Sequence, residues 1–179
     1  IACGTVIQEQ FSTRSLFIYQ LLQNFCPQKW RDFFLLGRLF LAAMGVFIFL
    51  QIFGLKFYPA YCGGLLYGLG GSMTIFLNLT QMSNVGMVFP YALIGTELLS
   101  SKQDWPRLFF YCISVALLVL AGQPEASFYA LIFTGSYAIF RIITIKNEGD
   151  RDLIRRISYL FWGTLLAFLI ASPFFAPFL

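Results

Sequence analysis

Long apolar stretches alternate with short polar turns along this chain, at a spacing that predicts helices of membrane-crossing length. A spanning helix takes about 20 mostly apolar residues. The clearest stretch is Phe33–Phe53, whose one charge, Arg38, lies near an end and is expected to snorkel. The second, about Tyr58–Asn78, is rich in glycine: Gly63, Gly64, Gly68, Gly70 and Gly71. Its Gly64-x-x-x-Gly68 pair lets another helix approach closely in lipid, and the same glycines allow a loose, kinked span. The third, about Val85–Leu99, is short and holds Pro90, so it is expected to tilt, kink or cross only in part. The fourth, Leu108–Ala121, is short as well and gains length from Trp105 and Arg107, which suit an interface. The fifth, Ala126–Ile143, starts after Pro124 and ends near Arg141; the sixth runs from Ile157 to about Phe175. Phe11–Phe25 differs, mixing apolar positions with Gln10, Ser12, Arg14, Gln20, Gln23 and Asn24, and reads as a helix lying on the bilayer.

The pattern predicts an all-α fold: a polytopic transmembrane helical bundle of about six segments behind an N-terminal interfacial helix. Residues 1–30 read as an extracytoplasmic or interfacial segment, the end of an upstream loop. Residues 31–179 read as a multi-span domain cut at both ends. The chain opens on Ile1 and closes inside the apolar run Ser172–Leu179, so an internal fragment of a longer protein is expected.

Composition sharpens this reading. Of 179 residues, 59% are hydrophobic and 11% charged, against about 45–50% and about 25% in soluble domains. The 22 phenylalanines add large apolar areas that a soluble fold of this length has no room to hide. The net charge of +4 is carried mostly by short loops, which is an orientation signal and not a nucleic-acid footprint. There is no histidine, and Cys3, Cys26, Cys62 and Cys112 are scattered without C-x-x-C spacing, which argues against a structural zinc site.

Basic residues then orient the spans. Arg141, Lys146, Arg151, Arg155 and Arg156 cluster between the fifth and sixth spans, so that loop is expected in the cytoplasm. Alternation puts Ser100–Pro106 and Gly54–Phe57 on the same side. The outer side receives the N-terminal stretch, the Asn78–Asn84 and Gly122–Glu125 loops and the C-terminal residues; Lys29 and Arg31 fall there too, against the rule. This sorting gathers Gln8, Glu9, Gln10, Asn78, Thr80, Gln81, Asn84, Gln123 and Glu125 at one face. Amides and carboxylates beside apolar spans need water or partners, so the grouping predicts a polar site at the outer boundary. Ordinary loop residues and helix caps are the plainer reading of each one singly. Glu97 falls near the cytoplasmic end and is expected to pair with Lys102 or Arg107.

No phosphate-binding glycine loop, dinucleotide fingerprint or nucleophile elbow occurs, and without histidine no Ser-His or Cys-His pair can form. Asn78-Leu79-Thr80 fits a glycosylation sequon, a weak pattern. Two stretches are more specific: Asn84 through Pro90 to Glu97, and Gly122-Gln123-Pro124-Glu125 followed by Phe128 and Tyr129. With the closing Ala171-Ser172-Pro173-Phe174, these resemble, in order and spacing from about Phe33 onward, the YfhO-like bacterial membrane proteins of the GT-C glycosyltransferase superfamily. Two departures stand out: Gln123 where members usually carry His, and Glu125 where they usually carry Gln.

The resemblance implies a GT-C-like bundle in the inner (plasma) membrane. It implies transfer of a sugar from a polyprenyl-phosphate-linked donor to a glycan or lipid acceptor at the outer face, among membrane lipids and with no nucleic-acid partner. The chemistry needs a carboxylate base, for which Glu9 and Glu125 are the candidates. Asn84, Gln123 and Arg14 are candidate substrate-binding residues, with Lys29 and Arg31 as further phosphate contacts. The superfamily's acidic catalytic residue usually lies in the first extracytoplasmic loop, and is expected upstream of Ile1. No cofactor is expected within the fragment, and the leaving phosphate leaves room for a divalent metal. The rival readings are a transporter or flippase of a lipid-linked or small polar substrate, which would place polar residues at mid-membrane, and a structural membrane subunit.

Overall fold

The structure, a computed structural model, describes Leu22 and residues 30–75, 80–145 and 150–175. Glu9, Arg14, Lys29, Cys3, Cys26 and all of the interfacial segment Phe11–Phe25 but Leu22 lie outside the described residues. Among the described residues the fold is all-helical: α1 (Arg31–Ile52), α2 (Phe57–Gly68), α3 (Gly71–Ile75), α4 (Thr80–Ser101), α5 (Trp105–Val119), α6 (Pro124–Thr144) and α7 (Asp150–Phe175). Three of them, over Asp32–Ile52, Pro124–Thr144 and Leu153–Ser172, are long and apolar enough to cross a membrane. Large apolar side chains stay exposed around the outside: Phe33 and Phe40 on α1, Phe128 and Phe133 on α6, Phe161 and Trp162 on α7. Exposed apolar side chains on helices of this length suit a lipid environment.

A long helix that is not apolar enough by composition to cross a membrane sits in the middle. α4 packs on α1, α5, α6 and α7, and it buries Ser83, Asn84, Thr96, Glu97 and Ser100. In lipid the outer face of a bundle is the apolar one and the interior holds the polar groups, so the polarity that made this segment look short is what places it centrally. Its 22 residues run unbroken through Pro90. A proline inside a helix frees the carbonyl four residues earlier, here Gly86. Tyr67 of α2 donates its hydroxyl to that Gly86 oxygen at 2.9 Å, replacing the bond Pro90 lacks. We expect Tyr67→Phe to destabilise the bundle by about 1–3 kcal/mol, the cost of a buried acceptor left alone. The loss should vanish in a Pro90→Ala background, where the backbone N–H returns. Unfolding of the four variants in mixed micelles, combined as a double-mutant cycle, checks this.

The second predicted span is broken. α2 ends at Gly68 and α3 begins at Gly71, with Leu69 and Gly70 out of helix between them. The glycines here serve two ends. Gly64 and Gly68 press on α1 so closely that an added Cβ would lie 2.7 Å from the Ala43 carbonyl oxygen and 2.7 Å from Ala43 Cβ respectively; this is the close approach the G-x-x-x-G spacing predicts. Tight turns join α1 to α2 at Gly54 (φ 98°) and α5 to α6 at Gly122 (φ 93°).

Two apolar clusters fill the interior. One joins Leu99 of α4 to Leu108, Tyr111, Cys112 and Val115 of α5, Ala138 of α6 and Leu160 and Ala167 of α7. Tyr111 lies against both Gly95 and Gly163, whose missing side chains make room for its backbone and ring. Its hydroxyl meets that of Thr164 at 2.9 Å, and the Cys112 thiol donates to the Gly163 carbonyl at 3.3 Å. The other cluster joins Val85, Met87, Val88 and Ala92 of α4 to Leu118 and Ala121 at the end of α5, with Ala126 and Ala130 of α6 against it.

Candidate functional site

Contacts between helices fix which residues share a height in the bundle. On α4 and α6, Phe89 packs its ring on Phe133 at 5.9 Å, and Glu97 meets Tyr137 and Arg141. The two helices therefore run in the same direction with an offset of 40 to 44 positions, which puts Asn84 level with Pro124–Phe128. On α1, Gly45 packs against Pro90 and Tyr91, while Phe49 and Phe53 meet Tyr137 and Arg141. Arg38 then falls level with Ser83–Asn84 and with the first turn of α6. The break after Gly68 sits at this height too, since Gly68 faces the Leu39 carbonyl oxygen.

One end of the bundle, the amide end, thus assembles Arg38, Ser83, Asn84, the helix break and the Gly122–Glu125 turn. Asn84 was expected in a loop. Instead α4 begins at Thr80, so Asn84 lies a full turn inside it and is completely buried. Neither its amide nitrogen nor its carbonyl oxygen has a hydrogen-bond partner among the described residues. A buried carboxamide has up to four hydrogen bonds to make, and leaving them unmade is costly. Arg38 corrects a second expectation. It does not snorkel; its side chain is fully buried in the bundle. Seven residues into a helix, a guanidinium has more than a turn of chain to climb before reaching an interface. Arg38 and Ser83 are both engaged by neighbours.

Gln123 and Glu125 lie where expected relative to Asn84, at the same end. Gln123 is half-buried at the N-cap position of α6 and makes no side-chain cap. Glu125 is exposed in the first turn, where its negative charge is favoured by the helix dipole. Of the five candidate site residues, the structure brings Asn84, Gln123 and Glu125 to one end; Glu9 and Arg14 lie outside the described residues. Among the described residues no group of three or more Cys, Asp or Glu is placed to hold a metal ion.

At the opposite, ion-pair end, Glu97 departs from its expected partners. Lys102 pairs with Asp104 at 3.1 Å on the surface, and Arg107 donates to the Leu98 carbonyl and to Ser101 Oγ, both at 3.1 Å. Glu97 is buried and takes an ion pair from Arg141 and a 2.7 Å hydrogen bond from Tyr137. Facing inward on α4, it is out of line with the following loop. Tyr137 and Arg141 stand one turn apart on α6, and that i, i+4 spacing of a phenol and a guanidinium in an apolar run was the signal available in sequence. Arg38 was marked in the same way, by a charge five residues inside an apolar stretch.

Comparison with known protein families, with curated proteins and with solved structures finds no match to this chain.

Proposed function

We propose that this chain is part of a polytopic membrane protein of the GT-C kind, transferring a sugar from a polyprenyl-phosphate-linked donor at the outer face of the membrane. The amide end is then the extracytoplasmic end, and the basic stretch around Lys146–Arg156 is cytoplasmic. The observation that carries this reading is the layer at the amide end: a buried Arg38 level with a buried Asn84 that has no hydrogen-bond partner among the described residues, under a turn that offers Gln123 and an exposed Glu125. Such a layer supplies a cation for a donor phosphate, amides for sugar hydroxyls and a carboxylate on the water side to take the acceptor's proton.

Between the two polar ends, Val85, Val88, Ala92 and Leu93 of α4 are buried in apolar surroundings, and the far end is closed on itself by Glu97 and its partners. Polar groups at one boundary suit an enzyme better than a through-path. One observation favours the rival transporter reading: the broken α2–α3 segment beside a polar layer, a feature of transporter substrate sites. Glu125→Gln and Glu9→Gln separate the readings. In vesicles given a radiolabelled polyprenyl-phosphate sugar, the base's variant should lose at least about 100-fold in transfer rate with insertion intact. Unchanged transfer in both would remove these carboxylates from the mechanism, and substrate uptake by vesicles without transfer would establish the transporter.

A further inference from the structure

The inner side of α6 repeats itself. Ala126, Ala130, Thr134 and Ala138 recur every four residues. Ala126 and Ala130 pack against the α4 cluster, and Thr134 and Ala138 are buried. Thr134 turns its hydroxyl back to the Ala130 carbonyl at 2.8 Å, so it too presents a small apolar surface. A slip of α6 by four residues, about 6 Å along the axis with a small rotation, would carry this stripe onto itself. Dispersion packing between small residues in lipid therefore holds α4 and α6 together with little preference among heights.

Glu97 breaks that repeat. It is held from two directions by Tyr137 and Arg141. Arg141 also lies over the Phe53 ring at 5.9 Å and Tyr137 packs on Phe49 at 5.6 Å, which ties the cluster to α1. A slip of α6 by one turn toward the ion-pair end would carry Arg141 past Glu97 and leave both charges uncompensated, while a slip toward the amide end would put Arg141 where Tyr137 stood and cost Glu97 the phenol hydrogen bond. A polar group buried in a largely apolar helix interface is the best-attested way of fixing register between helices, and Glu97 is, among the described residues, the one buried charge that α4 presents to α6.

We propose that Glu97, with Tyr137 and Arg141, is the register key of the bundle, fixing the height of α6 on α4 and thereby the height of the Gln123–Glu125 turn over Asn84. These two layers of α4 stand about 20 Å apart at the helical rise of 1.5 Å per residue, so the key acts on the site by positioning and touches no substrate. The consequence for transfer rests on the function proposed above; the register does not, and is tested without activity.

The test uses paired cysteines in the full chain in membranes, with Cys3, Cys26, Cys62 and Cys112 replaced by serine and a short bifunctional thiol reagent. Phe89→Cys with Phe133→Cys reports the native height. Phe89→Cys with Tyr129→Cys, and Val85→Cys with Phe133→Cys, report slips of one turn in either direction. With Glu97 in place only the first pair should cross-link. Glu97→Ala should lower that product severalfold and raise one of the slipped pairs, and the exchange Glu97→Arg with Arg141→Glu should restore the native product. A single, undiminished Phe89–Phe133 product in Glu97→Ala overturns the proposal and gives the register to the short α5–α6 turn. Loss of all three products overturns it as well, because that is unfolding and not slippage.

Discussion

Arg38→Leu should insert more readily than the native chain and yet be inactive. An arginine opposes insertion by at most about 2.5–3.5 kcal/mol, the value at a helix centre, while leucine favours it by a few tenths. Removing the guanidinium therefore relieves α1, and the variant is expected at native or higher levels in the membrane. On the transferase reading proposed above, transfer from a polyprenyl-phosphate sugar should fall by about 100-fold or more, the scale of losing a charge-assisted contact to phosphate in a water-poor site. Opposite movements in the two measurements are the signature sought. A residue kept for assembly would lose both together, and one kept for neither would leave transfer untouched. Arg38→Lys tests the geometry: a compact ammonium lacks the planar fork and should recover only part of the rate. If Arg38→Leu transfers sugar at the native rate, the buried layer has no part in holding the donor phosphate.

Much of this arrangement was legible in the chain, and the residues that escaped share one cause. Apolar length sufficed for α1 and α6, whose ends at Arg31–Ile52 and Pro124–Thr144 fall within a few residues of the predicted spans. The Gly64–Gly68 spacing gave the close packing of α2, though not its partner, α1. Hydropathy failed where the interior is polar. α4 looked like a short, proline-broken segment because Ser83, Asn84, Thr96, Glu97 and Ser100 interrupt its apolar run, and those interruptions are what its neighbours enclose. Pro90 pointed to a kink in sequence because the hydroxyl that replaces its hydrogen bond comes from Tyr67, 19 positions from Gly86 and on another helix.

The break in the second span shows the converse limit. Five glycines between Gly63 and Gly71 announced flexibility without saying which of them would pack and which would leave the helix. Gly64 and Gly68 sit against α1, while Leu69 and Gly70, the next two residues, lose helical geometry at the height of the Arg38–Asn84 layer. The candidate site was therefore half visible. Its amides and carboxylate at Asn84, Gln123 and Glu125 followed from sorting loops by side, whereas Arg38 needed the depth of its helix to be known.

Glu97→Ala should destabilise the bundle by about 3–5 kcal/mol, the penalty for stripping one partner from a buried ion pair. The side chains of Glu97 and Arg141 are 6% and 18% exposed, and Ser100, one turn beyond Glu97, is fully buried with its hydroxyl unpartnered among the described residues. Titrating mixed micelles with a denaturing detergent, with helicity as the readout, measures the loss, and a change under about 1 kcal/mol would contradict the buried geometry. The triple replacement Glu97→Met, Tyr137→Phe and Arg141→Met should behave differently. Apolar side chains of similar volume remove the desolvation penalty along with the attraction, so stability should return to the native value or exceed it. A register key then makes a further demand on the same protein: stable as it is, the triple variant should cross-link at both native and slipped heights, because α6 again presents α4 with a stripe that repeats every four residues. Stability recovered while uniqueness is lost would separate what the ion pair does for the fold's energy from what it does for the fold's alignment.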